Sequence, residues 1–437
     1  MWPYHPDLLA TPVPRYTSFP TAAEFGGDVG PSDLTRELEG ETGEVSLYVH
    51  IPFCEQICWY CGCNTSAANR KDRLTSYVDA LHREIRLVGG RLPNVAKVGR
   101  IAFGGGSPNA IPPIEFVRLV DALTVHFRAS NPSISIELDP RTMTAEWAGV
   151  LRAVGVERAS LGVQTFAPAL QQAIGRVQPL GLIERSTQLL RDAGVSSLNF
   201  DLMYGLPGQT LGDVEDTLDR ARVLGADRIA LFGYAHVPHM IPRQRKIVAE
   251  NLPDQALRFR MANEGHAQLV AAGYRTVGFD HFALPGDPMA RAVTEGRLHR
   301  NFQGFTDDAA PVLLGLGATA ISMFPSLLIQ NEKNAGRYRM LLSQNRFTAN
   351  RGVRRSAEDR RRGAVIEQLL CQGAAELDAD LLAEARIRIE PFVERGLASL
   401  DGAVLRIAPD GLPYARTIAA QFDPYRQDSL RRFSSAV

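Results

Sequence analysis

Tyr48-Val49-His50-Ile51-Pro52-Phe53-Cys54-Glu55-Gln56-Ile57-Cys58-Trp59-Tyr60-Cys61-Gly62-Cys63 runs an apolar segment into a knot of cysteines, and its reading decides the fold. Four of the five cysteines in the chain lie here. The spacing Cys54-x3-Cys58-x2-Cys61 suits a loop that folds three thiolates around one iron–sulfur cube. A four-iron cluster normally takes four thiolates. Three leave one iron open, which marks a reactive metal site as opposed to a closed structural one. A disulfide framework fits poorly, because clustered cysteines in a long chain staple no large core. A structural zinc site needs a fourth ligand. Cys63 or His50 offers one, but there is no second C-x-x-C pair, and Cys371 stands alone far downstream. Cys63 falls outside the spacing and reads as a small packed residue before it reads as a ligand.

Outward from this stretch the pattern is regular. Short apolar strands alternate with amphipathic helices, which predicts βα units and a parallel sheet. Strands are expected at Val45–Ile51, Ile101–Phe103, Ser133–Leu138, Arg158–Val163, Ser197–Leu202 and Arg228–Phe232. Helices are expected near 72–88, from Pro112 or Pro113, and near 144–154, 182–193, 211–224 and 255–271. In the first helix Leu74, Tyr77, Val78, Leu81, Ile85 and Val88 share one face. Six units in a row give an α/β fold class: a partial (open) TIM-type barrel. The cysteines, Gly104-Gly105-Gly106-Ser107-Pro108, Glu137, Gln164, Asp201 and Tyr234 all fall at strand C-termini, the end that carries the site in such folds. A carboxylate ending an apolar strand, as Glu137 and Asp201 do, needs a polar partner such as a ribose hydroxyl or an internal arginine. The glycine run lets backbone approach a ligand closely, but it carries neither G-x-G-x-x-G nor a Walker lysine.

Three parts are expected: an N-terminal arm over 1–44, the barrel and its extension over 45–345, and a small helical C-terminal domain over 346–437. Residues 346–362 are strongly basic and read as a solvated linker and helix start. A helix near 381–390 should stop before Pro391, and Ala398–Ile407 reads as a hairpin turning at Asp401-Gly402. Helix, helix and hairpin resemble a winged helix, which serves as a cap as readily as a DNA reader. The chain has 437 residues with 48 basic and 48 acidic side chains, which argues against bulk nucleic-acid binding. No run of about 18 apolar residues and no signal segment appears, so a cytoplasmic location is expected, in a reducing compartment that suits exposed thiols.

The cysteine spacing resembles the signature of the radical S-adenosylmethionine (SAM) superfamily. Along nearly its whole length the chain also resembles one member family, the oxygen-independent coproporphyrinogen III oxidases. The likeness is carried by Arg15-Tyr16-Thr17-Ser18-Phe19-Pro20-Thr21, the run from Tyr48 to Asn64 with Cys63, Gly104–Pro108 and Leu161-Gly162-Val163-Gln164. It continues through Asp201–Pro207, Tyr234–Pro238, Asp280-His281-Phe282-Ala283, His299-Arg300-Asn301-Phe302-Gln303-Gly304 and Ala320-Ile321-Ser322. The resemblance implies a radical SAM barrel under a C-terminal helical domain, with Cys54, Cys58 and Cys61 holding a [4Fe–4S] cluster. It implies two SAM molecules: one contacted by Tyr48, Gly105 and Glu137, the other by Tyr60, Gly106, Ser107, Gln164, Arg176, Asp201, Ala235 and Ile321. Tyr48, Glu137 and Asp201 take the catalytic positions.

The implied reaction is oxidative decarboxylation of two propionates of coproporphyrinogen III to vinyl groups by a 5′-deoxyadenosyl radical. Electrons would come from a low-potential donor such as flavodoxin or ferredoxin, and the enzyme would be a monomer. Arg15, His236, His281 and Arg300 are candidates for the substrate carboxylates. The alternatives are a related haem-modifying methyltransferase and a haem chaperone. Three departures stand out: Ser107 replaces a common threonine, Gly175 replaces a usual asparagine before Arg176, and Phe433–Val437 lacks a basic residue.

Overall fold

The computed structural model describes residues 1–68 and 70–426; the C-terminal departure at Phe433–Val437 lies outside them. The strands that build the large sheet are β1 (Glu44–Ile51), β2 (Lys97–Gly105), β3 (Ser133–Leu138), β4 (Val156–Gln164), β5 (Ser197–Tyr204) and β6 (Arg228–Gly233). They continue with β7 (Arg275–Val277), β8 (His281–Ala283), β9 (Val312–Leu316), β10 (Ile321–Met323), β11 (Leu327–Asn331) and β12 (Ala349–Arg354). The spatial order is β12-β11-β10-β9-β1-β2-β3-β4-β5-β6-β8-β7, an open sheet. From β9 to β6 every pairing is parallel; β8 and β7 on one side and β10 to β12 on the other are antiparallel.

The six expected strands and their crossover helices form because each helix buries one apolar stripe against the sheet, while strand residues such as Glu137 open toward the site. All six residues assigned to the inner face of helix Lys71–Gly89 are buried. Ser133–Leu138 matches the expected strand, and the helix Gln255–Ala271 likewise. Thr144 caps Ala145–Val154 by accepting from the Trp147 N–H at 3.2 Å, and Gly155 ends it in the left-handed conformation. The sequence pattern did not separate β9, which adds a seventh parallel strand beside β1. Val312–Leu316 is buried at all five positions, so it shows no alternation.

Glu84, from helix Lys71–Gly89, fixes this added strand. Its carboxylate accepts from Gly317 N–H at 2.6 Å, Tyr338 O–H at 2.7 Å, Asn331 Nδ2 at 2.8 Å and Thr348 Oγ1 at 3.1 Å. Burial nevertheless pushes the carboxyl up to about 7.

Two expectations for the C-terminal third are corrected. The basic stretch 346–362 is not a solvated linker. Ala349–Arg354 is β12 in the large sheet, and helix Ala357–Gln372 follows at once, with Arg362 buried in ion pairs to Glu358 and Glu384. The second helix does not stop before Pro391 but runs Ala379–Glu394 with that proline inside. The proline removes the partner of the Ile387 carbonyl. Ile387 is exposed, which leaves that carbonyl within reach of solvent. The hairpin Ala398–Asp401 with Val404–Ile407 forms as expected and gains a third strand, Ala374–Glu376.

The arm crosses all of these parts. Trp2 N–H donates to Asn263 Oδ1 at 2.7 Å, His5 N–H to Tyr414 Oη at 2.8 Å, and Tyr16 O–H to Asp423 Oδ2 at 2.9 Å. Gly26 bridges to Gly352 on β12.

Candidate active site

β1 delivers the chain to the cysteine loop at the C-terminal mouth of the parallel strands. The loop's neck is pinched by a short parallel pair, Phe53–Cys54 with Ser66–Ala67. Cys54, Cys58 and Cys61 are free thiols, and all three line one cavity of about 600 Å³. Each sulfur accepts from a fixed donor: Cys54 from Thr65 Oγ1 at 3.2 Å, Cys58 from Arg176 Nη1 at 3.2 Å and Arg141 Nη2 at 3.5 Å, Cys61 from Cys63 N–H at 3.4 Å. Hydrogen bonds to cluster sulfurs favour the thiolate and tune its potential. Three unpaired thiols on a single loop, each with a donor and all facing one open space, fit a cluster with one free corner. Cys63 is not packed away as expected. It is exposed in the cavity, and its thiol, hydrogen-bonded to Cys61, brings the Cys61 thiol down to about 6.

The opposite wall comes from the ends of β2 to β6. Gly105 has φ +112°, and a Cβ there would meet the His50 ring at 2.6 Å, so only glycine fits. Its N–H donates to Glu137 Oε2 at 3.2 Å. Glu137 itself opens onto the cavity. Burial, with the charge of Asp201 added, pushes its carboxyl up to about 7. Asp201 accepts from Ser160 Oγ at 2.8 Å and Asn199 Nδ2 at 2.8 Å, and burial raises its carboxyl as well. The two carboxyls therefore stand across β4, each held by protein donors and each still facing open space. Gln164 sits at φ +67°, where the β4–β5 register slips, and lines the same cavity. That left-handed backbone is costly for a glutamine and marks a position held by its surroundings.

Gly106, Ser107, Tyr60, Arg176 and Ala235 also line this cavity. Arg176 is buried, and its guanidinium donates to the Gly162 carbonyl at 2.7 Å, Gln178 Oε1 at 3.1 Å and Asp139 Oδ2 at 3.4 Å besides Cys58. Gly175, at φ +64°, precedes it. A Cβ on Gly175 would meet the Trp59 indole at 2.7 Å, so here the indole occupies the space a side chain at 175 would need.

Two expected site residues lie elsewhere. Tyr48 lines a second cavity of about 150 Å³ that shares Glu137 and Ser160 with the first, and its hydroxyl sits 3.2 Å from His50 Nδ1. Burial, reinforced by Glu137, holds the Tyr48 phenol protonated. Ile321 lies on β10. It is separated from Tyr48 by β9, where Gly315 is in register with Tyr48.

Of the four candidates for substrate carboxylates, only Arg15 lines the main cavity. It stands over the Phe232 ring at 4.8 Å and pairs with Asp280 at 3.2 Å, with 37% of its side chain exposed. His281 is committed to Asp280 at 2.6 Å and His236 contacts Tyr234 Oη at 2.9 Å. Arg300 donates to the carbonyls of Arg15 at 2.9 Å and Tyr16 at 3.1 Å and stacks on Phe305 at 4.2 Å. It thus fixes the arm that carries Arg15. Although burial opposes it, His281 and Arg15 hold the Asp280 carboxyl well below the usual range.

Sequence reasoning missed Asp139 and Arg141. Arg141 donates to Asp139 Oδ2 at 2.6 Å and to the Gln56 carbonyl at 3.2 Å, tying the end of β3 to the cysteine loop. An Asp-Pro-Arg turn after Glu137 was the available signal.

Residues 48–221 match the model of the radical SAM superfamily. An oxygen-independent coproporphyrinogen III oxidase of Bradyrhizobium diazoefficiens is 39% identical over 437 residues, covering 97% of each chain. One from Pseudomonas aeruginosa is 38% identical over 443 residues, covering 97% of this chain and 96% of its own. Among solved structures, the Escherichia coli coproporphyrinogen III oxidase, a radical SAM enzyme, superposes with a TM-score of 0.91 at 34% identity, over 97% of this chain and 99% of its own.

Proposed function

The chain belongs to the oxygen-independent coproporphyrinogen III oxidases, and on that premise we propose how its residues divide the work. It is a radical SAM oxidoreductase of porphyrin biosynthesis that uses a [4Fe–4S] cluster and SAM to oxidise coproporphyrinogen III to protoporphyrinogen IX without oxygen. Cys54, Cys58 and Cys61 hold the cluster. When bound, cluster and SAM supply a 5′-deoxyadenosyl radical that takes a hydrogen from a propionate, after which carbon dioxide and one electron depart.

The protein's part is to bind, orient and exclude water. Glu137 and Asp201 accept hydrogen bonds from ribose hydroxyls in their ionised forms. Gly105 brings bare backbone against the methionyl end of SAM, and Tyr48 lies behind Glu137 as a neutral donor. A second SAM lies along Tyr60, Gly106, Ser107, Gln164, Arg176, Asp201 and Ala235, without Ile321, which stands off this cavity on β10. The size of the cavity, about 600 Å³, supports room for more than one small ligand. Arg176, donating to Cys58, keeps that sulfur oriented while its remaining edge faces the cavity. Arg15 pairs with a substrate carboxylate. It is the arginine in the main cavity with both partial exposure and a single carboxylate partner, and Arg300 positions it through the arm backbone.

The chain is divided into arm, barrel with extension, and C-terminal cap, and it works as a monomer. It works in the cytoplasm, where free thiols persist. A low-potential one-electron donor reduces it.

The observation that carries this reading is three free thiols and two carboxyls facing one cavity in a chain matched along 97% of its length. The test is anaerobic reconstitution with SAM, a low-potential reductant and coproporphyrinogen III. The expected products are 5′-deoxyadenosine and a porphyrinogen with two carboxyls fewer. A methylated product, or haem binding without SAM turnover, would replace it with the methyltransferase or chaperone reading.

A further inference from the structure

The outer side of the cysteine loop is roofed by a short turn, Pro242–Lys246, that carries Arg243, Arg245 and Lys246. Residues 237–249 hold no acid, although the whole chain balances 48 basic against 48 acidic side chains. Glu250 follows the turn, and Glu55 lies on the loop itself. Among the described residues none of the three cations is in an ion pair, and Arg245 and Lys246 are exposed.

The turn is fastened to the loop. Gln244, at its centre, is 1% exposed, and its Nε2 donates to the carbonyls of Tyr60 at 2.8 Å and Ala235 at 3.0 Å, while its Oε1 accepts from Val237 N–H at 2.6 Å. Arg243 donates to the Cys63 carbonyl at 3.2 Å. Lys246 Nζ stands 5.6 Å from the centre of the Trp59 ring. Trp59 is half-buried, sits between Cys58 and Cys61 in the chain, and packs with Tyr60 on an apolar cluster of Ile174, Met203, Leu206, Tyr234 and Ile247. Unpaired surface cations usually sit on mobile side chains with no fixed relation to a site. These sit on a turn whose buried glutamine locks it to the very loop that carries the thiols.

We propose that the Arg245–Lys246 face over Trp59 is the docking surface for an acidic, low-potential one-electron carrier protein. A positive patch attracts an acidic partner and orients it. An aromatic at its centre supplies apolar contact. The place is useful because a carrier seated on Trp59 stands one position from Cys58 and two from Cys61 in the chain. The carrier gives up one electron and the cluster held by Cys54, Cys58 and Cys61 gains it; no proton moves. The proposal rests on the radical SAM reading of those thiols.

The test compares wild-type holoenzyme with the double variant Arg245→Glu/Lys246→Glu, using a purified bacterial flavodoxin as probe. Titration calorimetry should show affinity for flavodoxin falling about tenfold or more at low salt, with the difference shrinking as salt rises. SAM cleavage driven by dithionite should be unchanged, while flavodoxin-driven cleavage falls. The charge-preserving Arg245→Lys/Lys246→Arg should bind as the wild type does. Unchanged flavodoxin affinity in the reversed variant, or an equal loss of dithionite- and flavodoxin-driven cleavage, overturns the docking surface. Wild-type holoenzyme that binds flavodoxin but makes no 5′-deoxyadenosine with dithionite overturns the radical SAM reading, and the docking proposal with it.

Discussion

Gly175→Ala should loosen the grip on the cluster loop without touching a thiol. The residue has φ +64°, a conformation that costs an alanine about 1–2 kcal/mol. The new Cβ would lie 2.7 Å from the Trp59 indole. Ordinary carbon contacts are about 3.5 Å, so the ring would have to retreat by about 0.8 Å. Its retreat is limited: the Trp59 backbone N–H is anchored on the Ile174 carbonyl at 3.0 Å, and the side chain packs on the Ile174, Met203 and Leu206 cluster. Overpacking of this kind costs about 1–3 kcal/mol, so the sum is about 2–5 kcal/mol. Denaturant unfolding followed by tryptophan fluorescence measures it, and cluster absorbance after reconstitution reports whether the loop still closes. Trp59→Ala removes the obstacle, so adding Gly175→Ala to it should cost only the backbone part. The two substitutions should couple by about 1–3 kcal/mol. Gly175→Asn separates the parts differently, since asparagine tolerates the left-handed backbone but keeps the Cβ. Wild-type stability and cluster content in Gly175→Ala, with no coupling to Trp59→Ala, would refute the reasoning that indole and glycine are fitted to each other.

Arg15→Ala should raise the KM for coproporphyrinogen III by about tenfold, the scale of one charge-assisted bond, and leave SAM affinity alone; steady-state kinetics separates the two. Burial, with Asp201 nearby, raises the Glu137 carboxyl to about 7. SAM affinity should therefore rise with pH through that value as the carboxylate forms, and Glu137→Gln should bind SAM more weakly with a flat profile; equilibrium dialysis between about pH 6 and about pH 8 checks it. Glu84 has a folded value of about 7 against 4.5 for an ordinary glutamate. The folded state thus holds its proton more tightly than the unfolded chain. Its contribution is fully present below the unfolded value and is lost as pH rises through the folded one, by about 3 kcal/mol. Unfolding at about pH 5 and about pH 8 should show that slope in the wild type and not in Glu84→Gln.

The strand–helix rhythm from β1 to β6 was legible because short apolar runs alternate with helices whose apolar residues recur every three to four positions. The cysteine loop was legible because a ligand set needs a fixed pitch. β9 to β12 were not, since Val312–Leu316 and Leu327–Asn331 are buried at every position and carry no alternation. Pro391 misled because its effect depends on whether water reaches the carbonyl it orphans, a tertiary fact. The ranking among Arg15, His281 and Arg300 was equally hidden. All three are cations or donors in sequence, and only the fold shows that His281 serves Asp280 and that Arg300 serves the arm. In the clasp of Arg141 between Asp139 and Gln56, the Asp-Pro-Arg turn was written locally, but its tie to Gln56 joins segments 85 positions apart and was not.

The arm has a consequence for the order of events on the ribosome. His5 and Tyr16 find their partners in Tyr414 and Asp423, 409 and 407 positions later. The arm is therefore made long before these partners and completes its docking only once they have emerged. Asp280 and Arg300 can meet Arg15 earlier, but the backbone on either side of it is not fastened until Tyr414 and Asp423 arrive. A chain stalled short of its final residues would own a complete cysteine loop and still lack the strap that finishes the enzyme.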